Sequence, residues 1–352
     1  MELLSVTMND GVMPRSEIEG KDSSSEDKSN YKVVCKGDMV YNSMRMWQGA
    51  NGVSDYDGIV SPAYTVLMPT KEIDNQYFAA LFKTSKLINE FRKNSQGLTS
   101  DTWNLKYPQI RAIKLYIPSL QEQHKISSFI STLEERIGKQ RQLIDDLKKY
   151  KRGLLDSLIS QKLKFAPSGI WHSAKLGDIF RERVDRAIGD EELLAVTISS
   201  GVQKRDEINI KDNSSDDKSH YKRVYKGDIV YNTMRMWQGA SGASLFDGIV
   251  SPAYTVITPI DAAETNIIFW SYYFKFAPLV KTFQKYSQGL TSDTWNLKFP
   301  QFSEIKVFVP PMKEQTAIAT FLSRFDKKIQ KEENKLRAYQ QSRISLMQQL
   351  FI

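Results

Sequence analysis

YNSMRMWQGANGVSDYDGIVSPAYTV, residues 41–66, returns as YNTMRMWQGASGASLFDGIVSPAYTV at residues 231–256. A second run, SQGLTSDTWNLK, stands at 95–106 and again, unchanged, at 287–298. The copies of the first run lie about 190 residues apart, and those of the second about two residues further. From residue 2 to 69, against 192 to 259, roughly two-thirds of positions are identical. A period this long is no solenoid unit. It marks a duplicated domain.

The chain has 352 residues, enough for two or three domains. Its 41% hydrophobic and 26% charged residues are ordinary for a globular protein. The net charge of +8 favours an anionic partner, nucleic acid first, though basic proteins without one are common. Cys35 is the one cysteine, and Tyr225 stands at its repeat position, which excludes a disulfide framework within one chain. The opening MELLSVTMND has no basic segment followed by an apolar core, so no signal peptide is expected there. No run of about 18 apolar residues exists to span a membrane. A cytoplasmic location and no membrane partner are expected.

Met39-Val40-Tyr41 and the run at 63–66 read as strands, bounded by the turn signals Lys36-Gly37-Asp38 and Ser61-Pro62. KDSSSEDK at 21–28 and KDNSSDDK at 211–218 read as polar loops. The spacing of apolar residues predicts a helix over 77–93 and a strand over 113–117. From residue 119 the pattern changes. Ile126, Ile130, Leu133, Ile137, Ile144, Leu147, Leu154 and Leu158 alternate spacings of four and three, a heptad seam. A second seam runs through Ile318, Leu322, Phe325, Ile329, Leu336, Tyr339, Leu346 and Leu350. Ala166-Pro167-Ser168-Gly169 breaks the first helix. The expected order is a globular domain at 1–118, a long helix at 119–165, a second globular domain at 166–310 and a second long helix at 311–352. About twenty residues that open the second domain have no counterpart in the first. Either the native chain starts upstream of Met1, or the first domain tolerates their absence.

Duplication filters the candidate chemistry, because a site used by both halves should appear in both. His124, His172 and His220 fail this filter and have no ligand spacing, so no metal site is expected. No phosphate-binding glycine loop, nucleophile elbow or dinucleotide fingerprint occurs, so no catalytic residue and no cofactor of the chain's own is expected. Both copies do retain Arg45, Trp47 and Gln48 as Arg235, Trp237 and Gln238. Arginine can bind guanine, and glutamine adenine, with paired hydrogen bonds, and an aromatic ring can stack beside them. The second run supplies Ser95, Gln96, Thr99, Ser100, Asp101, Trp103 and Asn104, repeated as Ser287, Gln288, Thr291, Ser292, Asp293, Trp295 and Asn296. Such small polar groups suit groove readout or phosphate contact. The bland readings are equally concrete: the tryptophans fit core positions, Asp101 fits a helix cap, and Ser95-Gln96-Gly97 fits a turn.

Taken together, these features resemble the specificity (S) subunit of type I restriction–modification systems. The resemblance covers nearly the whole chain. It rests on two recognition domains each followed by a long helix, on Gly97-Leu98-Thr99 and Gly289-Leu290-Thr291, and on Pro118 with Gln121-Glu122-Gln123 and Pro310-Pro311 with Lys313-Glu314-Gln315. Leu176-Gly177-Asp178-Ile179-Phe180 is similar to the family's opening of a recognition domain, and the first half lacks it. The resemblance implies an α+β fold: two similar DNA-recognition domains, separated by two long antiparallel coiled-coil helices about a pseudo-two-fold. It also implies that the chain is a non-catalytic reader of a bipartite site in double-stranded DNA. Two modification (methyltransferase) subunits would dock on it and carry S-adenosylmethionine, and a restriction subunit would add ATP-driven cleavage. The alternatives are an enzyme in its own right, or a coiled-coil scaffold binding protein partners only.

Because the contact runs are duplicated almost unchanged, the two half-sites should be nearly alike. Each seam carries two polar interruptions, Gln140 and Lys151 in the first helix, Glu332 and Arg343 in the second. In an antiparallel pair, the register that sets Lys151 against Glu332 also sets Gln140 against Arg343, and such polar residues can fix register.

Overall fold

The computed structural model describes the chain except residues 9, 21–23, 166–168, 189–190, 199, 209–216, 292 and 352. The expected helix breaker at Ala166, Pro167 and Ser168 therefore lies outside the described residues, as does much of the polar loop at 211–218. The chain forms two compact units, residues 1–143 with 332–352, and residues 144–331. Each unit is an α+β body that takes a segment from both long helices.

In the first unit, the strand Met39–Asn42 lies between Asn51–Val53 and Tyr64–Leu67 in an antiparallel sheet. Alternate side chains of a strand point to opposite faces. Met39 and Tyr41 accordingly join one core with Met46, Leu87 and Phe91, while Val40 joins another with Leu4, Val6 and Val60. A strand buried on both faces reads as a continuous apolar run. Gly37, at φ +96°, supplies the left-handed residue of the turn before it. A second sheet has the order Gly11–Pro14, Glu2–Thr7, Gly58–Val60, Lys32–Val34, with Glu2–Thr7 and Gly58–Val60 parallel.

The second unit repeats this plan. Ile229–Asn232 lies between Ser241–Ala243 and Tyr254–Pro259. Here Tyr254–Pro259 gains a further partner, Phe180–Arg183, and Lys306–Val309 pairs with His172–Lys175. The strand expected at 113–117 does not form: residues 113–119 carry no strand. Its repeat mate is a strand because His172–Lys175 supplies the ladder, whereas among the described residues of the first unit nothing pairs with 113–117.

The single helix expected over 77–93 is two, Asn75–Leu81 and Ser85–Asn94. Thr84 separates them: its hydroxyl oxygen accepts from the Leu87 amide and caps the second helix. The first long helix is Leu120–Ile159, shorter than the expected 119–165, because Gln161 takes a left-handed φ of +59° just beyond it. The second is Met312–Leu350. Gln123 and Gln315, both buried, tie each helix start to its unit. The Gln123 side chain accepts from the Asp74 amide and donates to the Pro118 carbonyl, and Gln315 does the same for Asn266 and Pro310.

Within each unit the helix segments run antiparallel, but one heptad out of the expected register. In the first unit Arg136 lies over the Tyr339 ring, Arg343 pairs with Glu134, and Gln140 donates to Glu332. In the second, Tyr150 packs on Phe325 and Lys151 pairs with Asp326. Lys151 therefore does not meet Glu332, nor Gln140 Arg343. The reason is one of magnitude. Leu155, Leu158 and Ile159 are buried in the second unit's core, and Phe351 is buried against Tyr77 in the first. Burying such side chains contributes about 1.5–3 kcal/mol each, whereas a part-exposed ion pair contributes about 0.2–1 kcal/mol. Apolar docking of the helix ends sets the register. The long polar side chains then reach out of the seam to whatever partner lies at hand.

Candidate nucleic-acid interface

Each copy of MRMWQG is a rigid projection from the central strand. The carbonyl of Asn42 accepts from the Arg45 amide, and the Asn42 side-chain oxygen accepts from the Met44 amide at 3.0 Å. Met46 is fully buried and anchors a short 3-10 turn, Met46–Gln48. Gly49 ends that turn at φ +85°, where a side chain would be strained. The second unit reproduces this with Asn232, Met236 and Gly239 at φ +81°.

The second run folds against the first. Gln96 and Asn104 exchange backbone hydrogen bonds of 3.0 and 2.8 Å, pinching a loop between them. Gly97 allows the pinch, because a Cβ there would sit 2.6 Å from the Thr102 carbonyl oxygen. Leu105 is buried, and its amide donates to the Ser43 carbonyl at 2.8 Å, fastening the loop to the base of the first run. The match in the second unit is Leu297 to Thr233 at 2.9 Å. Trp47 and Trp103 then meet edge to face with ring centroids 5.1 Å apart, and Trp237 meets Trp295 at 5.2 Å. Two runs separated by about 50 residues become one surface element, built alike in both units.

The candidate residues divide by environment. Among the described residues, Arg45, Gln48, Gln96 and Asp101, with Arg235, Gln238, Gln288 and Asp293, have side chains without a protein hydrogen-bond partner and at least partly exposed. They are available to a ligand. Ser95 and Ser287 are not: each hydroxyl donates to a carbonyl at a helix end, Phe91 and Phe283. Asn104 and Asn296 have side-chain oxygens shut off from solvent and without a hydrogen-bond partner, and it is their backbone groups that close the loop against Gln96 and Gln288. Thr99 and Thr291 tie to Thr102 and Thr294 across the loop tip. Ser100 is exposed at that tip, and Ser292 lies outside the described residues. Trp47, Trp237, Trp103 and Trp295 are half-buried, each indole of the first pair donating to the carbonyl of Met44 or Met234 at 3.1 Å. No helix follows Asp101; Thr99 to Thr102 is a turn.

The sequence reading missed three features. Leu98 and Leu290 stand fully exposed at the two loop tips. The signal was present, since each is a lone apolar residue between glycine and threonine in a polar loop. Arg92 lies 5.9 Å from the Trp47 ring, and Gln284 takes its place in the second unit. Lys83 and Lys275 lie close behind the glycines that end the two 3-10 turns. Burial, reinforced by the Lys151 ammonium, pushes Lys275 down to about 8, and its amine donates to the Ile198 carbonyl. Burial lowers Lys83 as well, with Arg343 adding to it. Among the described residues no cluster of His, Cys, Asp or Glu could hold a metal, and no helix is long and apolar enough to cross a membrane.

Known proteins share this plan. The type I restriction modification DNA specificity domain matches residues 5–149 and again 171–338. A putative type I restriction enzyme specificity subunit, MjaX, from Methanocaldococcus jannaschii is 24% identical over 149 residues, which is 40% of this chain and 34% of that protein. The chain thus spans about a third of the length of that curated relative. The type I restriction–modification S subunit from M. genitalium is similar in structure, with TM-score 0.57 and 17% identity, over 91% of this chain and 84% of that one. A chain from a study of complex assembly and conformational transition in the type I R-M system matches with TM-score 0.57 and 14% identity, over 93% of this chain and 84% of that one. With two such domains occupying most of its length, each built around the same pair of loops, this chain belongs to the type I restriction modification DNA specificity domain family.

Proposed function

We propose that the chain is the non-catalytic DNA-reading subunit of a type I restriction–modification complex in the cytoplasm. Each unit reads one half of a bipartite double-stranded site with its joined pair of loops. Two methyltransferase subunits dock on the chain and carry S-adenosylmethionine, and a restriction subunit, where present, carries ATP. The observation that carries this reading is the twin surface element: an unpaired arginine, glutamine and aspartate around a tryptophan pair, held rigid by buried anchors, in both units. Preorganised groups of this kind lose little entropy when they bind base edges. Arg45, Gln48, Arg235 and Gln238 contact bases or phosphates. Leu98 and Leu290 press on base edges or wedge between base steps, as apolar side chains do in many DNA complexes.

The test is a methylation assay with the chain and its methyltransferase subunit, together and apart, followed by sequencing of the methylated adenines. One bipartite motif, methylated only when both proteins are present, is the expected result. Methylation by this chain alone would make it an enzyme. A stable complex with the methyltransferase that shows no DNA preference would make it a protein scaffold.

A further inference from the structure

Each unit carries a third turn beside the joined pair of loops. Glu2–Thr7 and Gly11–Pro14 form a hairpin with Thr7 opposite Gly11, and Leu194–Thr197 and Gly201–Lys204 form its mate with Thr197 opposite Gly201. The two turns are built alike. The Thr7 hydroxyl accepts from the Asp10 amide at 2.9 Å, and the Thr197 hydroxyl from the Ser200 amide at 3.0 Å. Gly11 and Gly201 close them at left-handed φ of +69° and +68°. Close packing fixes each turn beside MRMWQG. A Cβ on Gly52, in the strand just after Gly49, would sit 2.8 Å from the Gly11 Cα, and one on Gly242 would sit 2.7 Å from the Gly201 Cα. Lys275 bridges the two elements of the second unit: its Cα lies against Gly239, and its amine donates to the Ile198 carbonyl at 2.7 Å. Lys83 lies against Gly49 in the same way and stands near Asp10. Met8 and Ile198 are exposed at the two tips. Ile198 is exposed with residues 171–183 in place, so the tip is open whether or not such a segment is present.

Of the three loops, two are the same in both units and one is not. Residues 44–49 match 234–239, and 95–106 match 287–298, without a change. The hairpin reads VTMNDGV at 6–12 and VTISSGV at 196–202, identical flanks around three changed residues. The middle change, Asn9 to Ser199, lies outside the described residues. Met8 to Ile198 keeps an apolar side chain. Asp10 to Ser200 changes the chemistry, because a carboxylate only accepts hydrogen bonds while a hydroxyl donates or accepts. Asp10 is exposed, and among the described residues its carboxylate has no hydrogen-bond partner. Backbone phosphates repel a carboxylate, so its favourable target in a DNA groove is an amino group on a base edge, cytosine N4 above all. The nearby Lys83 ammonium offsets part of that repulsion. A serine accepts from or donates to any base and selects little.

We propose that the hairpin tip is a third reading loop, and that Asp10 is the residue that makes the two half-sites differ. The first unit selects one further base pair, beside those read by the shared loops, through a base-edge amino group accepted by Asp10. Cytosine is the base it selects. The second unit, with Ser200, leaves the matching base pair open, and the remaining positions of the two halves stay alike. The difference presupposes the DNA reading above and adds to it which residue tells one half from the other.

The test is sequencing of the adenines methylated by the full chain together with its methyltransferase subunit. The parent motif should carry one specified C·G pair in one half that is open in the other. Asp10→Ser should lower discrimination at that pair about tenfold and make the halves alike. Ser200→Asp should add the same preference to the other half, a gain that a misfolded chain cannot produce. A parent complex that methylates no motif would overturn the DNA reading, and this difference with it. A parent motif that neither variant alters, or variants that lower methylation evenly at all sequences, would overturn the role of Asp10 and leave the DNA reading standing.

Discussion

Lys151 pairs with Asp326 in the second unit, and their repeat mates, Arg343 and Glu134, pair in the first. Each pair joins the basic residue late in one long helix to the acidic residue early in the other. The two units therefore solve the same problem with the helices exchanged. Asp326 also accepts from the Tyr272 hydroxyl, and Lys151 lies 4.6 Å from the Tyr272 ring centre. Lys151→Glu should destabilise the second unit by roughly 1–2 kcal/mol, with Asp326→Lys in the same chain restoring part of it. Urea unfolding of the two single variants and the double measures the coupling. A coupling of zero would show that the contact contributes nothing.

Gln140 and Glu332 make the second polar contact of the pairing. The Gln140 amide donates to the Glu332 carboxylate at 2.9 Å and to its carbonyl at 3.0 Å, and Lys335 also reaches the carboxylate. Glu332 is buried. Gln140→Leu should cost about 1–3 kcal/mol, because a buried acceptor loses a donor. Adding Glu332→Leu should recover most of that, since an apolar pair of similar size is no worse than a buried polar one. If the double variant is less stable than Gln140→Leu, the carboxylate is held mainly by Lys335.

Arg45→Ala or Arg235→Ala should relax the methylated motif at one base pair, with about 1–3 kcal/mol of lost discrimination. The two motif halves should be close to an inverted repeat, since both units present the same loops. Arg92→Gln should instead lower affinity for all sequences and reduce the salt slope by about one, which is the signature of a phosphate contact. The second unit already carries Gln284 there, so the two half-sites should differ in salt dependence more than in sequence. Methylome sequencing and binding from 50 to about 200 mM salt separate these outcomes.

Lys275 gives a pH prediction. Its folded value, about 8, lies below its ordinary 10.5 because of burial and the Lys151 charge. Between those values the unfolded chain holds a proton that the folded chain has released. Stability therefore rises with pH across that window, as far as this group is concerned. Lys275→Met should remove that rise, so the variant's advantage over the parent should shrink between pH 7.5 and roughly 9.5. Denaturation midpoints at four pH values suffice. A constant difference would mean that Lys275 titrates normally.

Much was legible in the sequence, because duplication and periodicity are properties of the chain itself. The repeat marked two like domains, the heptads marked two long helices, and the shared runs marked the loops that meet in space. Other features belonged to tertiary structure. Thr84 could not be known as a helix cap until the chain turned there. Ser95 and Asn104 looked like contact residues, and only folding turned one to a carbonyl and sealed the oxygen of the other. The strand at 113–117 needs a ladder partner, and among the described residues of the first unit none pairs with it. The helix register was decided by core packing at the helix ends. A seam written in leucine and isoleucine fits itself at every heptad, so the choice falls to Phe351 against Tyr77, and to Leu158 and Ile159 in the second core.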